Sequence, residues 1–181
     1  MKSHAVSAPR EYPEHSAATA DEPFVEAYLP ALLAQAHKLV AGAFHPVAAE
    51  HGIAPSEWRV LATLASGEPT SIGRLAEIVV MKQPTVTRVL DRMEATGHVK
   101  RVAHDADRRI TLVTITERGE QLTRKLIPLA REHEARVLAP LGAAHAKMLK
   151  ETLLELIRLQ QAAEDSAISP ARTPAPAWRV P

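Results

Sequence analysis

The residues best suited to recognising another molecule form two groups, one at residues 82–92 and one at residues 107–109. Glutamine can pair with adenine, arginine can pair with guanine, and threonine can contact a phosphate or a thymine methyl group. An arginine at an exposed turn can enter a minor groove, whose negative potential attracts it. The sequence therefore predicts a DNA-reading surface, with base edges and phosphates both open as targets for each residue. Its predicted members are Lys82, Gln83, Pro84, Thr85, Thr87, Arg88, Arg92, Arg108 and Arg109.

Charge in the same region agrees with a polyanionic partner. Asp107 is predicted to hold Arg109 through a salt bridge rather than to contact DNA. Residues 82–109 carry seven Lys or Arg against four Asp or Glu, although the formal net charge of the 181-residue chain is only +1. A basic patch on a nearly neutral protein suits a phosphate backbone. Phosphate contacts are predicted for a set of cations, each of which could equally be a solvated surface residue: Arg74, Lys82, Arg92, Lys100 and Arg101.

Two short helices and a β-hairpin are predicted to carry these residues. Helical apolar periodicity covers residues 72–79 and resumes at Pro84, with Gln83 as the expected cap of the second helix. Two β-prone runs, 98–102 and 110–115, then flank a polar turn. Two helices packed at a tight turn and followed by a hairpin form a winged helix-turn-helix.

Long amphipathic helices are predicted on both sides of this module. They have more apolar surface than one small domain can cover, which favours a helical dimerisation layer built from both chain ends. A two-fold dimer would present two recognition helices to a pseudo-palindromic DNA site. The predicted fold class is thus mainly α with a small β-wing. The predicted divisions are a disordered arm (1–20), a dimerisation and ligand helix (21–52), the DNA-binding domain (53–116), dimerisation helices (117–162) and a disordered Pro/Ala-rich tail (163–181).

Composition and missing motifs argue against several other classes of protein. The chain has no cysteine, so it has no disulfide and no thiolate zinc site. It has no segment typical of a signal peptide or a membrane span, so we expect a cytoplasmic protein without membrane contact. A nucleophile elbow, a phosphate loop and an HExxH motif are all missing from the sequence. We therefore expect neither enzymatic activity nor a cofactor or metal.

The chain resembles the MarR family of bacterial winged-helix regulators. The similar segments read IAPSEWRVLATL, SIGRLAEIVVMKQPTVTRVLDRMEATGHVKR and DADRRITLVTITERG, and the resemblance extends over residues 27–162. They include the family's Asp-x-Arg wing, here Asp107 and Arg109, and the Thr-x-x-Gly start of its dimerisation helix, here Thr116 and Gly119. The resemblance implies a homodimer that binds operator DNA, usually represses, and is released by a small ligand, often an aromatic acid.

The same resemblance implies an effector site, because the family holds its ligand between the DNA-binding and dimerisation parts. His37 and Phe44 share a face of the first long helix, and Trp58, Arg59 and Thr63 lie on the next helix. An arginine beside aromatic side chains suits a planar carboxylate, such as a hydroxybenzoate or a nicotinate-like compound. Core packing is the alternative for the two aromatic residues, and a surface ion pair is the alternative for the arginine.

Two alternative functions keep the same fold. Nine histidines allow a zinc-responsive regulator with His37, His45, Glu50 and His51 as ligands. No histidine pair has the i, i+4 spacing that is typical of a helical metal site. The other alternative is a ligand-independent architectural DNA binder.

Overall fold

The computed structural model describes residues 23–104, Asp107 and residues 109–168, with side chains described as far as Glu164. The predicted N-terminal arm and the chain beyond residue 168 lie outside this range. The described chain is mainly helical with one small sheet, so the predicted fold class is confirmed. Its elements, in chain order, are α1 (Phe24–Ala27), α2 (Leu29–Glu50), α3 (Pro55–Leu64), β1 (Thr70–Ser71), α4 (Ile72–Ile78), α5 (Gln83–Ala95), β2 (Val99–Ala103), β3 (Thr111–Ile115), α6 (Glu117–Leu138), a 3₁₀ turn (Ala139–Leu141) and α7 (Gly142–Ile168).

The chain divides into two compact units at Pro46, a proline inside α2. In the first unit, α2 begins at Leu29, so Pro30 marks the true start of the long helix, where a proline costs no helical hydrogen bond. The rings of Phe24 and Tyr28 stack with their centroids 4.7 Å apart. None of the helices in the described chain is long and apolar enough to cross a membrane.

The second unit contains the winged helix-turn-helix. Helix α3 buries Val60, Leu61 and Leu64, whereas Ala62 and Ala65 are exposed. Each of these alanines follows a buried leucine by one residue, and one residue turns the helix by about 100°, away from the core.

Helix α4 begins and ends with hydrogen bonds that fix the turn before α5. The Ser71 hydroxyl oxygen accepts from the backbone N–H of Arg74 at 3.2 Å. At the other end, Met81 N donates to the Ala76 carbonyl at 3.0 Å, and Val80 N donates to the Glu77 carbonyl at 3.2 Å. This Schellman pattern forces Val80 to a φ of 52°, a left-handed conformation that usually requires glycine.

Helix α5 is held to the core by its buried side. Val86, Val89, Leu90 and Met93 are all buried, as their spacing predicts. The helix is capped by Lys82 rather than by Gln83, one residue earlier than expected, because Pro84 can occupy the second as well as the first position.

A three-stranded antiparallel sheet forms the wing, with strand order β1-β3-β2. Its hairpin register pairs Val99 with Ile115 and Ala103 with Thr111. The two residues of β1 add an edge strand to β3 that the sequence does not predict. Two residues are too few for an alternation of apolar and polar side chains to be recognised.

The end of the wing meets the start of α6 at a close backbone contact. The Thr116 hydroxyl accepts from Gly119 N at 3.1 Å and donates to the Gly97 carbonyl at 2.6 Å, while Thr116 N donates to the His98 carbonyl at 3.0 Å. A Cβ atom added at Gly119 would overlap the His98 carbonyl oxygen and lie 2.7 Å from Ile115 Cγ1. The Thr-x-x-Gly spacing therefore lets α6 start directly against the end of the recognition module.

The last helix is longer than its sequence prediction. It continues to Ile168, so the first six residues of the predicted tail, 163–168, are helical. This segment has no glycine or proline, and the first helix-breaking residue is Pro170. The prediction placed the end too early because it relied on the apolar stripe, which fades at Leu159.

We expect Gly119→Ala to lower the free energy of unfolding by about 1–3 kcal/mol, because the added methyl group meets a backbone oxygen that no rotamer change can move. Gly73→Ala is the matched control, since a Cβ there meets nothing within 4 Å. Urea denaturation at one fixed protein concentration measures both variants. Equal stability of the two variants would contradict the packing account of Gly119.

Candidate DNA interface

The N-terminal half of α5 presents a continuous polar surface. Lys82, Gln83, Pro84, Thr85, Thr87 and Arg88 are all exposed. The Thr87 hydroxyl donates to the Gln83 carbonyl at 3.0 Å, which leaves its oxygen free to accept. Because α5 buries its other side, these residues share one outward surface, hereafter the reading face. The structure thus brings together six of the nine predicted DNA-binding residues.

Arg92 stands apart from the reading face. Its Nε lies 3.4 Å from Oε1 of Glu57, an acid near the start of α3 whose side chain is only 15% exposed. The other Glu57 oxygen accepts from Ala54 N at 2.9 Å. Arg92 therefore forms an ion pair that connects α5 with α3.

The wing turn holds a bidentate salt bridge between Arg109 and Asp107. Arg109 Nε donates to Asp107 Oδ1 and Nη2 donates to Oδ2, both at 3.1 Å, and the backbone N–H of Arg109 donates to Oδ1 at 3.0 Å. These bonds, the side-chain bond first, lower the pKa of Asp107 below its ordinary value. The Arg109 side chain is nevertheless 91% exposed, so it remains available to a partner. Arg108 lies outside the described residues.

Arg101, one of the cations predicted to contact phosphate, is paired with two acids of α5. Its guanidinium lies 2.7 Å from Asp91 and 2.6 Å from Glu94, and the side chain is only 25% exposed. Arg74 also has an acidic partner, with its Nη1 2.9 Å from Glu77, but both of these side chains are exposed. The Arg74–Glu77 pair is a local i, i+3 pair on α4, whereas the pairing of Arg101 joins β2 to α5 and leaves no periodic signal in the sequence.

The predicted effector residues fall in both units. In the first unit, His37 is exposed and Phe44 is buried. In the second, Trp58 is half-buried, Arg59 Nη1 donates to the Val79 carbonyl at 3.1 Å, and the Thr63 hydroxyl donates to the Arg59 carbonyl at 2.8 Å. Arg59 therefore caps the C-terminal end of α4 rather than forming the surface ion pair considered above.

A cleft that the sequence does not predict lies on the second unit. It is open, has a volume of about 530 Å³, and is lined by residues of α3, α4 and the wing, including Thr63, Arg74, Ile78, His104 and Ile110. Among the described side chains, no three His, Asp or Glu lie close enough together to hold a metal ion. The zinc alternative thus gains no support from the geometry of this part of the chain.

Comparison with known proteins agrees with this arrangement. Residues 51–110 match the sequence profile described as MarR family. The crystal structure of a MarR family transcriptional regulator from Silicibacter pomeroyi is 38% identical, with a TM-score of 0.65, and the similarity covers 75% of this chain and 99% of that one. The chain belongs to the MarR family. MarR proteins are transcriptional regulators that bind DNA as dimers, and they are not enzymes.

Two other MarR-type relatives bear on ligands and regulation. The homoprotocatechuate degradative operon repressor of Escherichia coli is 27% identical over 127 residues, covering 70% of this chain and 86% of the repressor. The crystal structure of NadR in complex with 4-hydroxyphenylacetate is 26% identical, with a TM-score of 0.65, and covers 72% of this chain and 96% of NadR. The similarity to each covers about seven tenths of this MarR-family chain.

We expect Arg109→Ala to weaken DNA binding about tenfold, the value of one good contact, and to lower the salt dependence of log Kd by about 0.9. Fluorescence anisotropy with a duplex enriched by the wild-type protein from a random library measures both quantities. Arg124→Ala is the control, because Arg124 is an exposed arginine on α6 with its own acidic partner, Glu120. Unchanged affinity of Arg109→Ala at fixed salt would refute the wing assignment.

Proposed function

We propose that this MarR-family protein is a dimeric repressor, released from a pseudo-palindromic operator by a small aromatic or heteroaromatic carboxylate of the hydroxybenzoate or nicotinate type. The observation that carries the proposal is the reading face of α5, where Gln83, Thr85 and Arg88 are exposed on a helix whose opposite side is fully buried. A helix held in this way can enter a major groove without losing its packing.

The wing supplies the second DNA contact in this proposal. Arg109 is exposed and its carboxylate partner fixes both its backbone and its side chain. A guanidinium has five N–H donors, so those not bound to Asp107 remain for a phosphate or a base edge. If α5 reads a major groove and Arg109 enters the adjacent minor groove, the positions of the reading face and of the wing arginine are both accounted for.

Exposed apolar side chains support the dimer. On α7 they are 43–62% exposed and comprise Met148, Leu149, Leu154, Ile157 and Leu159. Together with the half-buried Leu153 and Leu156 they occupy roughly two thirds of the helix circumference, more than one packed layer can cover. In the first unit a second apolar group comprises Phe24, Val25, Tyr28, Leu29 and Leu32. Apolar surface of this extent marks an interaction site.

Arg59 offers a physical link between an effector and the DNA-binding helices. It uses Nη1 to cap α4 at Val79, immediately before the strained residue Val80 and the turn into α5. A ligand carboxylate is a stronger, charge-assisted acceptor than a carbonyl, so it would draw the guanidinium away from α4. The half-buried Trp58 on the same helix would supply apolar surface for the ring. NadR binds an aromatic carboxylate, which supports this ligand class.

The dimer is tested by Ile157→Glu. We expect this variant to elute as a monomer in size-exclusion chromatography with light scattering, because a buried charge at an interface is costly. Arg158→Glu, on the polar part of α7, is the control and should remain a dimer. Monomeric wild-type protein, or a dimeric Ile157→Glu variant, would refute the assignment of this surface.

The effector is tested by thermal unfolding with 4-hydroxyphenylacetate, 4-hydroxybenzoate and nicotinate. A true ligand at one hundred times its Kd stabilises the protein by about 2.7 kcal/mol and should release the enriched duplex. Arg59→Gln should abolish both ligand effects, and because it also removes the guanidinium that caps α4, it should weaken DNA binding in the absence of ligand. Loss of the effects in Arg74→Gln instead would move the site to the open cleft.

Parallel samples with zinc and with a chelator test the metal-responsive alternative. If zinc changes DNA binding and none of the acids does, the aromatic-acid proposal is wrong. If neither changes it, the ligand-independent architectural binder is favoured.

A further inference from the structure

Arg101 lies in the middle of β2, and its side chain turns back onto α5. Its Nη2 donates to Asp91 Oδ1 at 2.7 Å and to the Thr87 carbonyl at 3.3 Å, and its Nη1 donates to Glu94 Oε2 at 2.6 Å. The backbone N–H of Arg101 donates to the other Glu94 oxygen at 3.1 Å. Four hydrogen bonds therefore join one wing residue to three residues of α5.

Most of these are charge-assisted hydrogen bonds, which are stronger than bonds between neutral groups. Three of them have an ionised acceptor, and the carboxylates are held by the planar donor fork of a guanidinium. Their acceptors follow one another along α5, from the Thr87 carbonyl through Asp91 to Glu94. Contacts spread along one side of a helix oppose both its rotation about its own axis and its tilt, whereas one contact at one end leaves the tilt free.

We propose that Arg101 is a positioning residue that sets the sequence discrimination of α5 by fixing the rotation of the reading face relative to the wing. Bidentate pairing of Gln83 or Arg88 with a base edge requires one orientation of the helix. Contacts to phosphates tolerate rotation better, since they depend mainly on charge. The inference rests on the DNA recognition proposed above for α5.

The first test uses Arg101→Lys, which keeps the charge but cannot reproduce the donor fork. Binding is measured against the duplex enriched by the wild-type protein and against a random duplex of equal length. We expect affinity for the enriched duplex to fall about tenfold, with affinity for the random duplex and the salt slope unchanged. An equal loss on both duplexes with a lower slope would identify a phosphate contact and overturn the proposal. Unchanged affinity for both duplexes would also overturn it.

The second test uses Asp91→Asn, which keeps the proposal testable if Arg101→Lys fails to fold. Removing a negative charge near DNA should tighten binding to both duplexes if electrostatics alone matters. A loosened α5 should instead weaken binding to the enriched duplex about fivefold and leave the random duplex unweakened. Tighter binding to both duplexes would overturn the role of Arg101.

Arg124→Gln removes an arginine from an exposed ion pair on α6 and should match the wild type on both duplexes. A wild-type protein that enriches no duplex would refute DNA recognition itself, and with it this inference. Selective binding by the wild type, with neither variant losing selectivity, would overturn only the role of Arg101.

Discussion

Val86, Val89, Leu90 and Met93 hold α5 in the core by one side only, and the other features of the DNA-binding unit depend on that arrangement. Burying these four side chains leaves the reading face exposed, whereas Asp91, Arg92 and Glu94 further along α5 bond to β2 and α3. The proposed DNA contact accounts for the polar composition of the reading face. The wing, the α4 turn and the start of α6 all act on α5 by limiting how it can move once it is anchored.

The cations around α5 divide into two kinds. Lys82 and Arg88 are exposed on the reading face, where an approaching polyanion meets them first. Arg92 and Arg101 face acids of the same protein and connect α5 to α3 and to β2. Arg101 also neutralises two carboxylates that would otherwise repel a phosphate backbone. A count of local charge therefore does not distinguish the exposed cations from those that pair with acids of the same protein.

Local patterns were sufficient to predict the helices, the hairpin and the composition of the reading face. Periodicity identifies the buried side of α5, and Thr116 with Gly119 marks the start of α6, because each signal lies within a few neighbouring residues. The capping of α4 by Arg59 and the bonds of Arg101 were not predictable. They join residues far apart in the chain, and their partners become known only when the fold is known.

Conformation at single residues was the other limit of prediction. A valine at position 80 gives no signal of a left-handed backbone, because a β-branched residue is strongly disfavoured there. The fold imposes the conformation through the two hydrogen bonds that end α4. The edge strand β1 was missed for a related reason, since its pairing with β3 is tertiary and its two residues carry no pattern of their own.

The close contact of Gly119 with the His98 carbonyl makes α6 a lever arm. The 22 residues of this helix span about 33 Å at 1.5 Å per residue. With no side chain at the junction to deform, a tilt of about 5° at the fixed end displaces the far end by about 3 Å. The same ratio applies in the opposite direction. A movement of several ångströms at the far end of α6 therefore rotates its start, at the recognition module, by a few degrees. The missing Cβ thus lets α6 contact the recognition module directly, and the length of the helix sets the ratio between the two movements.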